Sequence, residues 1–286
     1  MRNFRQHVNL YKALYYQIKK CMQFIDTHTH LYLPEFKHDL DKVVERAIAA
    51  GIERFYLPAI SNEHIKEMLA FEKAYPEHCF AMIGLHPCSI KDNYKQELKI
   101  VEQWLQQRQF AAVGEIGLDF YWDKTYTVQQ YEAFHTQIEW ALQHNMPIVI
   151  HSRNATHKTI DVLKQYTKKD IRGIFHCFGG TIQEAESIIE CGFLLGIGGV
   201  VTYKNAGLAA VVQQIPLKHI VLETDAPYLT PVPFRGKRNE SSYLTYTAEK
   251  IAHIKNITLQ DIAAITTANA QQVFGGSNKK HLLAST

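Results

Sequence analysis

An α/β chain closed into a (β/α)8 barrel is the fold that the sequence predicts, on three observations. Eight short apolar runs recur along the chain, they do not alternate apolar with polar residues, and amphipathic helical patterns fill the gaps between them. Strands covered on both faces read as continuous apolar runs, and parallel neighbours need a connection long enough for a helix. The runs are residues 23–26, "IERFYLPA" (52–59), "FAMIG" (80–84), "AAVGEIG" (111–117), "PIVIH" (147–151), "GIFHCF" (173–178), "FLLGIGG" (193–199) and "HIVLETD" (219–225). They begin roughly 20 to 35 residues apart, room for one helix and two loops each.

The helical elements follow from their own signals. Asp39 is a candidate N-cap for a helix over 40–50. Residues 131–144 carry apolar side chains at steps of three and four. Thr181 and Glu184 have capping-box spacing, and Gly192 ends that helix. An open doubly wound sheet is the competing architecture, but no GxGxxG follows the first strand. Eight strand–helix units in one chain close most simply into a barrel.

Composition bounds what else the chain can be. With 286 residues, 46% of them hydrophobic, it can bury a sizeable core. We expect one barrel over 23–276, a basic extension over 1–22 and a tail over 277–286. No window approaches the apolar length of a membrane span. Cys21, Cys79, Cys88, Cys177 and Cys191 are scattered and never spaced CxxC, which points to free thiols, a reducing, cytoplasmic setting and no thiolate zinc site. Residues 1–23 hold Arg2, Arg5, Lys12, Lys19 and Lys20 and no acid, so of the net charge of +3 the remainder carries 3 − 5 = −2. A broad basic platform is therefore not expected, and an anionic substrate must be gripped locally. The first 22 residues read as a basic amphipathic helix, a targeting peptide or, the favoured reading, an extension upstream of a start at Met22. Nothing in the sequence marks an oligomer interface, and a monomer is expected.

In such barrels chemistry sits at the C-terminal ends of the strands. There the sequence places His28 and His30 (strand 1), Glu115 (strand 4), His151 (strand 5), His176 (strand 6) and Asp225 (strand 8). On an extended segment alternate side chains share a face, so His28 and His30 aim at one point. A single histidine at a strand end is usually a hydrogen-bonded structural group, Glu115 alone reads as a loop acid and Asp225 as a helix cap. Six such residues on one rim read instead as a metal centre. Imidazole and carboxylate without thiolate suit Zn, Mn, Fe or Ni, and Mg where carboxylates dominate. Six donors exceed the needs of one tetrahedral ion. Two cations about 3.5–4 Å apart would use them all, with Glu115 the candidate bridge.

The segments "FIDTHTHL", "GLHP", "VGEIGLDF", "PIVIHSRNA", "HCFGG", "VLETDAPYL" and "RGKRN", in this order, resemble the TatD family of metal-dependent deoxyribonucleases. The resemblance covers roughly residues 24–275. It implies a barrel of the metallo-dependent hydrolase (amidohydrolase) type, two divalent cations (Mg²⁺, Mn²⁺ or Zn²⁺) and hydrolysis of DNA phosphodiesters, chiefly as a 3′–5′ exonuclease favouring single-stranded ends. Carried over, it makes His28, His30, Glu115, His151, His176 and Asp225 the ligands, with Asp225 also the general base. It further implies substrate contacts for His86 and Arg153 and a supporting role for Glu223. Arg235, Lys237 and Arg238 would add local positive charge, or form a solvated charge run. The chain departs from the family at Tyr32, where an acidic or amide residue is usual, and at His157, where an acid is usual. Phe120, Tyr121 and Trp122 either stack on a base or pack over the barrel mouth. Two other functions remain: a hydrolase of small amides or phosphoesters, disfavoured because the strand 4 end offers Glu115 and no lysine before Lys124, and a non-enzymatic binder, disfavoured because all six ligands are kept.

Overall fold

The computed structural model describes residues 22–275. The expected basic extension, apart from Met22, and the expected tail lie outside the described residues. The strands are β1 (Phe24–Asp26), β2 (Ile52–Leu57), β3 (Cys79–Ala81), β4 (Val113–Asp119), β5 (Ile148–Arg153), β6 (Gly173–Phe175), β7 (Phe193–Ile197) and β8 (Ile220–Leu222). Each lies in, or overlaps, one of the eight apolar runs. The helices are α1 (Leu40–Ala49), α2 (Ile65–Ala74), α3 (Tyr94–Gln107), α4 (Thr127–Gln143), α5 (Thr156–Lys164), α6 (Ile182–Glu190), α7 (Leu208–Gln214), α8 (Leu244–Lys255) and α9 (Leu259–Phe274).

All strand pairs are parallel, in the order β1-β2-β3 and β4-β5-β6-β7-β8. A bridge between Ile83 and Val113 joins the two arcs, with Gly114 donating to the Ile83 carbonyl at 2.8 Å. At the other seam the Thr27 amide donates to Leu222 at 3.0 Å and its hydroxyl to the same carbonyl at 2.9 Å. The sheet therefore returns on itself as a (β/α)8 barrel.

Residues that alternate inward fill the barrel. Ile25, Tyr56, Phe80, Met82, Ala112, Val149, Ile174 and Val221 form one buried cluster, completed by Ala270 and Val273 of α9. Phe274, at the end of α9, stacks on Tyr56 with centroids 3.7 Å apart. The last helix thus plugs the end of the barrel remote from the strand C-termini, and chemistry is left to the other end. A second, larger cluster packs the sheet's outer face against the helices. Close backbone approach demands glycine at Gly117, where φ is +142° and a Cβ would lie 2.0 Å from the His151 carbonyl oxygen.

The Thr181–Glu184 capping box forms as expected, and the 131–144 pattern is the greater part of α4. Asp39 occupies the N-cap position of α1 as expected, but its carboxylate is used elsewhere. Its side chain makes no capping hydrogen bond to α1. Arg238 instead donates to both its carboxylate oxygens, at 2.8 and 2.7 Å, and to the Glu35 carbonyl at 2.6 Å. A bidentate guanidinium outcompetes a lone amide for the carboxylate. The pair ties the loop after β8 to the segment after β1. Arg238→Ala should lower stability by about 1 kcal/mol, as expected of a half-exposed bidentate pair, while metal content stays unchanged; a denaturant titration and elemental analysis check both. No described helix is long and apolar enough to cross a membrane, and the four described cysteines are free.

Candidate metal centre

Each donor is set by a local backbone feature. Beyond β1 the chain bends at Thr27 and His28, after which Thr29 donates to Tyr56 at 3.0 Å and His30 to Ala226 at 2.8 Å. These bonds to either neighbour hold the segment with His28 Nε2 and His30 Nε2 3.2 Å apart. Glu115 sits at a bulge in β4, where Gly114 pairs with Val149 and Ile116 with Ile150, leaving Glu115 without a cross-strand partner. A bulge re-aims its side chain. His151 lies within β5, and His176 directly follows β6. Asp225 is left-handed, with φ +54°, and its amide donates to His28 at 2.9 Å.

Glu115 is the centre of the arrangement, and its two oxygens face different groups. Oε1 lies 3.0 Å from His151 Nδ1, 3.1 Å from His176 Nε2 and 3.4 Å from His86 Nε2. Oε2 lies 3.1 Å from His28 Nε2 and 3.9 Å from His30 Nε2. Asp225 Oδ1 closes the second group, 3.4 Å from His30 Nε2 and 3.8 Å from His28 Nε2. The structure thus brings together all six residues singled out as ligands, and adds His86, expected only at the substrate.

Other side chains fix which nitrogens face inward. The Tyr32 hydroxyl donates to the Pro58 carbonyl at 2.6 Å, so its oxygen accepts from His30 Nδ1 at 3.2 Å and Nε2 is left bare. Asp119 Oδ2 takes His151 Nε2 at 2.8 Å, while Asp119 Oδ1 accepts from the amides of Tyr121 and Trp122 at 2.9 and 3.1 Å. Glu223 Oε1 lies 3.2 Å from His176 Nδ1, an ion-pair distance, and accepts from the Cys177 amide at 2.6 Å. Gly196 makes room for it, since a Cβ there would lie 2.2 Å from Glu223 Oε2. Asp26 anchors the floor, accepting from the Thr224 amide at 3.0 Å and from the Thr224 and Ser241 hydroxyls, both at 2.6 Å.

Asp119 and Asp26 carry no flag in the sequence reading, and Tyr32 enters it only as a departure. The signal for Asp119 was present: it stands two residues from Gly117 and four from Glu115 in "GEIGLD", on the strand that pairs Gly117 with His151.

Electrostatics divide the rings: burial pushes His28 and His86 down, whereas, against burial, Asp119 and Glu115 hold His151 up and Glu115 and Glu223 hold His176 well up. Burial alone would raise the Glu115 carboxyl, but the imidazoles of His176, His28 and His86 and the His151 hydrogen bond hold it well below the usual range. Burial and the neighbouring His176 push His28 down, keeping its ring in the neutral, ligating form. Asp119, despite burial, is held far down by His151 and the two loop amides. A neutral imidazole holds one N–H and one lone pair; His86 Nδ1 accepts from the Cys88 amide at 3.0 Å, so its neutral ring turns the Nε2 N–H on Glu115 Oε1. Among the described residues, three groups of imidazoles and carboxylates have ligand-capable atoms within 4.8 Å of one another: His28–Glu115–His176, His28–His30–Asp225 and His86–Glu115–His151. Imidazoles and carboxylates set this close together are the ligand types that divalent cations take, and a bound cation would replace the protons shared between them.

Apart from His86, the expected substrate contacts lie outside this cluster. Arg153 ends β5, its guanidinium 3.9 Å from the Tyr121 ring centre. Arg235 lies over Tyr203 at 4.4 Å and Lys237 over Phe234 at 5.8 Å. Arg238, expected to add local positive charge, is paired with the Asp39 carboxylate. His157 faces Glu184, 3.5 Å away.

The model of the family described as TatD related DNase matches residues 25–275. The chain belongs to that family. Among TatD relatives, the uncharacterized metal-dependent hydrolase YabD of Bacillus subtilis is 40% identical over 250 residues, covering 87% of this chain and 98% of that one. The 3′-5′ ssDNA/RNA exonuclease TatD of Erwinia tasmaniensis is 29% identical over 255 residues, again covering 87% and 98%. The crystal structure of YjjV, a TatD homologue from Escherichia coli K12, superposes with a TM-score of 0.83 at 29% identity, covering 89% of this chain and 98% of that one. As a TatD-family chain it is a metal-dependent hydrolase, and its buried His, Glu and Asp groups are placed to bind metal.

Proposed function

We propose that the chain is a deoxyribonuclease that uses two divalent cations to hydrolyse DNA phosphodiesters, trimming single strands from the 3′ end. The observation that carries this reading is Glu115, whose two oxygens face two separate donor groups, as a bridging carboxylate must. His28, His30 and Asp225 would hold one cation, and His151 and His176 the other, with Glu115 shared; Mg²⁺, Mn²⁺ and Zn²⁺ all suit these donors. When bound, such ions polarise the phosphate oxygens and acidify water.

The chain's own residues supply the rest. Asp225, at the open edge of the cluster, accepts the proton of the attacking water. Tyr32, Asp119 and Glu223 hold His30, His151 and His176 in the tautomers that present a lone pair. Arg153 and Arg235, exposed at the mouth, grip phosphate. His86, whose Nδ1 accepts from the Cys88 amide, turns its Nε2 N–H toward Glu115 Oε1 and can donate to a substrate phosphate. The exonuclease relative from Erwinia supports the nucleic-acid substrate.

The test is a 5′-labelled single-stranded oligonucleotide with Mg²⁺ or Mn²⁺, resolved on a sequencing gel. A ladder shortening from the 3′ end, abolished by EDTA and restored by excess Mn²⁺, is expected. An intact strand from folded, metal-loaded protein that instead hydrolyses small amides or phosphoesters would overturn the nuclease assignment.

A further inference from the structure

Arginines in the described residues mostly meet hydrogen-bonding partners: Arg46 meets Glu240, Arg108 meets Glu72, Arg172 meets Asn145 and Arg238 meets Asp39. Arg153 differs. It is exposed, has no carboxylate within ion-pairing distance among the described residues, and lies 3.9 Å from the Tyr121 ring centre and 5.1 Å from that of Trp122. The two rings meet edge to face with centroids 4.9 Å apart.

These rings are not packing. Trp122 is 67% and Tyr121 51% exposed, whereas Phe120 beside them turns in against the core. The exposed aromatics of the described residues are Tyr121, Trp122 and Tyr228, and all three lie on loops at the C-terminal ends of strands. Keeping two adjacent aromatic faces in water forfeits the gain of burying them, so an occupant that covers them is the economical explanation.

Their placement relative to the metal centre is fixed. One oxygen of Asp119 takes the amides of Tyr121 and Trp122, and the other takes His151 Nε2. A single buried carboxylate thus holds the aromatic pair in register with the donor cluster. Stacking also leaves the guanidinium edge, with its N–H donors, open to a phosphate.

Resting on the nuclease reading above, we infer that Tyr121, Trp122 and Arg153 form a base-stacking subsite for an unpaired nucleobase next to the scissile phosphodiester. The base covers the aromatic faces while the Arg153 edge takes the adjoining phosphate. Bases inside a duplex are already stacked on their neighbours and cannot present a face, so this subsite selects single-stranded ends.

The experiment compares three substrates: a single-stranded oligonucleotide, the same strand annealed to its complement, and the same strand with stable tetrahydrofuran abasic residues at its three 3′ positions. Trp122→Ala and Tyr121→Ala should each raise KM on the base-bearing single strand about tenfold. On the abasic strand the change should stay below twofold. In an Asp225→Asn background, the base-bearing strand should quench tryptophan emission, the abasic strand should not, and Trp122→Phe should abolish the quench. Unchanged KM, or an equal rise on the abasic strand, would overturn the subsite. If the unaltered protein cleaves base-bearing and abasic strands with the same KM, the subsite falls and the nuclease reading stands. Cleavage of neither strand by metal-loaded protein removes both.

Discussion

Asp225→Asn should lower turnover at least a thousandfold with the fold intact. The magnitude follows from removing a proton acceptor, worth about 10²–10⁴ in rate, together with one anionic donor facing His28 and His30. Asparagine is the informative replacement because Asp225 has φ +54°, a conformation asparagine tolerates and most side chains resist. Its amide bond to the His28 carbonyl is untouched. The checks are kcat on a labelled strand at saturating Mn²⁺ and a thermal melt alongside the unaltered protein. Turnover within a few-fold of normal would remove Asp225 from the proton-accepting role.

Glu115→Gln should strip the centre of metal. The carboxylate offers an acceptor to each donor group, whereas an amide has one oxygen and turns an NH₂ toward imidazoles that already hold their protons on the far side. If the proposed two ions are bound, we expect bound metal to fall to one or none by elemental analysis, and activity to fall at least a thousandfold. Two ions retained with normal affinity would show that Glu115 is not the bridge. Metal content separates this variant from Asp225→Asn, whose deficit is expected mainly in turnover.

How much of this was legible beforehand depended on the kind of signal. Strands buried on both faces leave contiguous apolar runs, so all eight could be located, and parallel neighbours force the helices between them. The donors were legible because chemistry is confined to the strand ends, where His28, His30 and Asp225 stand out against apolar surroundings. The residues that orient those donors were not, because their partners are remote in sequence. Tyr32 meets Pro58, and Asp26 meets Thr224 and Ser241 across the closing seam. Asp39 read as a cap because local spacing cannot reveal Arg238, 199 residues away. Arg153 was expected at the substrate from its place two residues beyond His151, but its seat on Tyr121 depends on the loop conformation that Asp119 imposes.

The seam between β1 and β8 also sets an order of events during synthesis. His28 emerges among the earliest described side chains, yet Asp225 and the Leu222 carbonyl that anchors Thr27 come nearly 200 residues later. A nascent chain released before that point carries histidines and Glu115 with no closed cylinder to converge them. Closure of the cylinder thus waits on residues near 225, and a chain ending before them would lack both the β8 seam and one of the six candidate ligands.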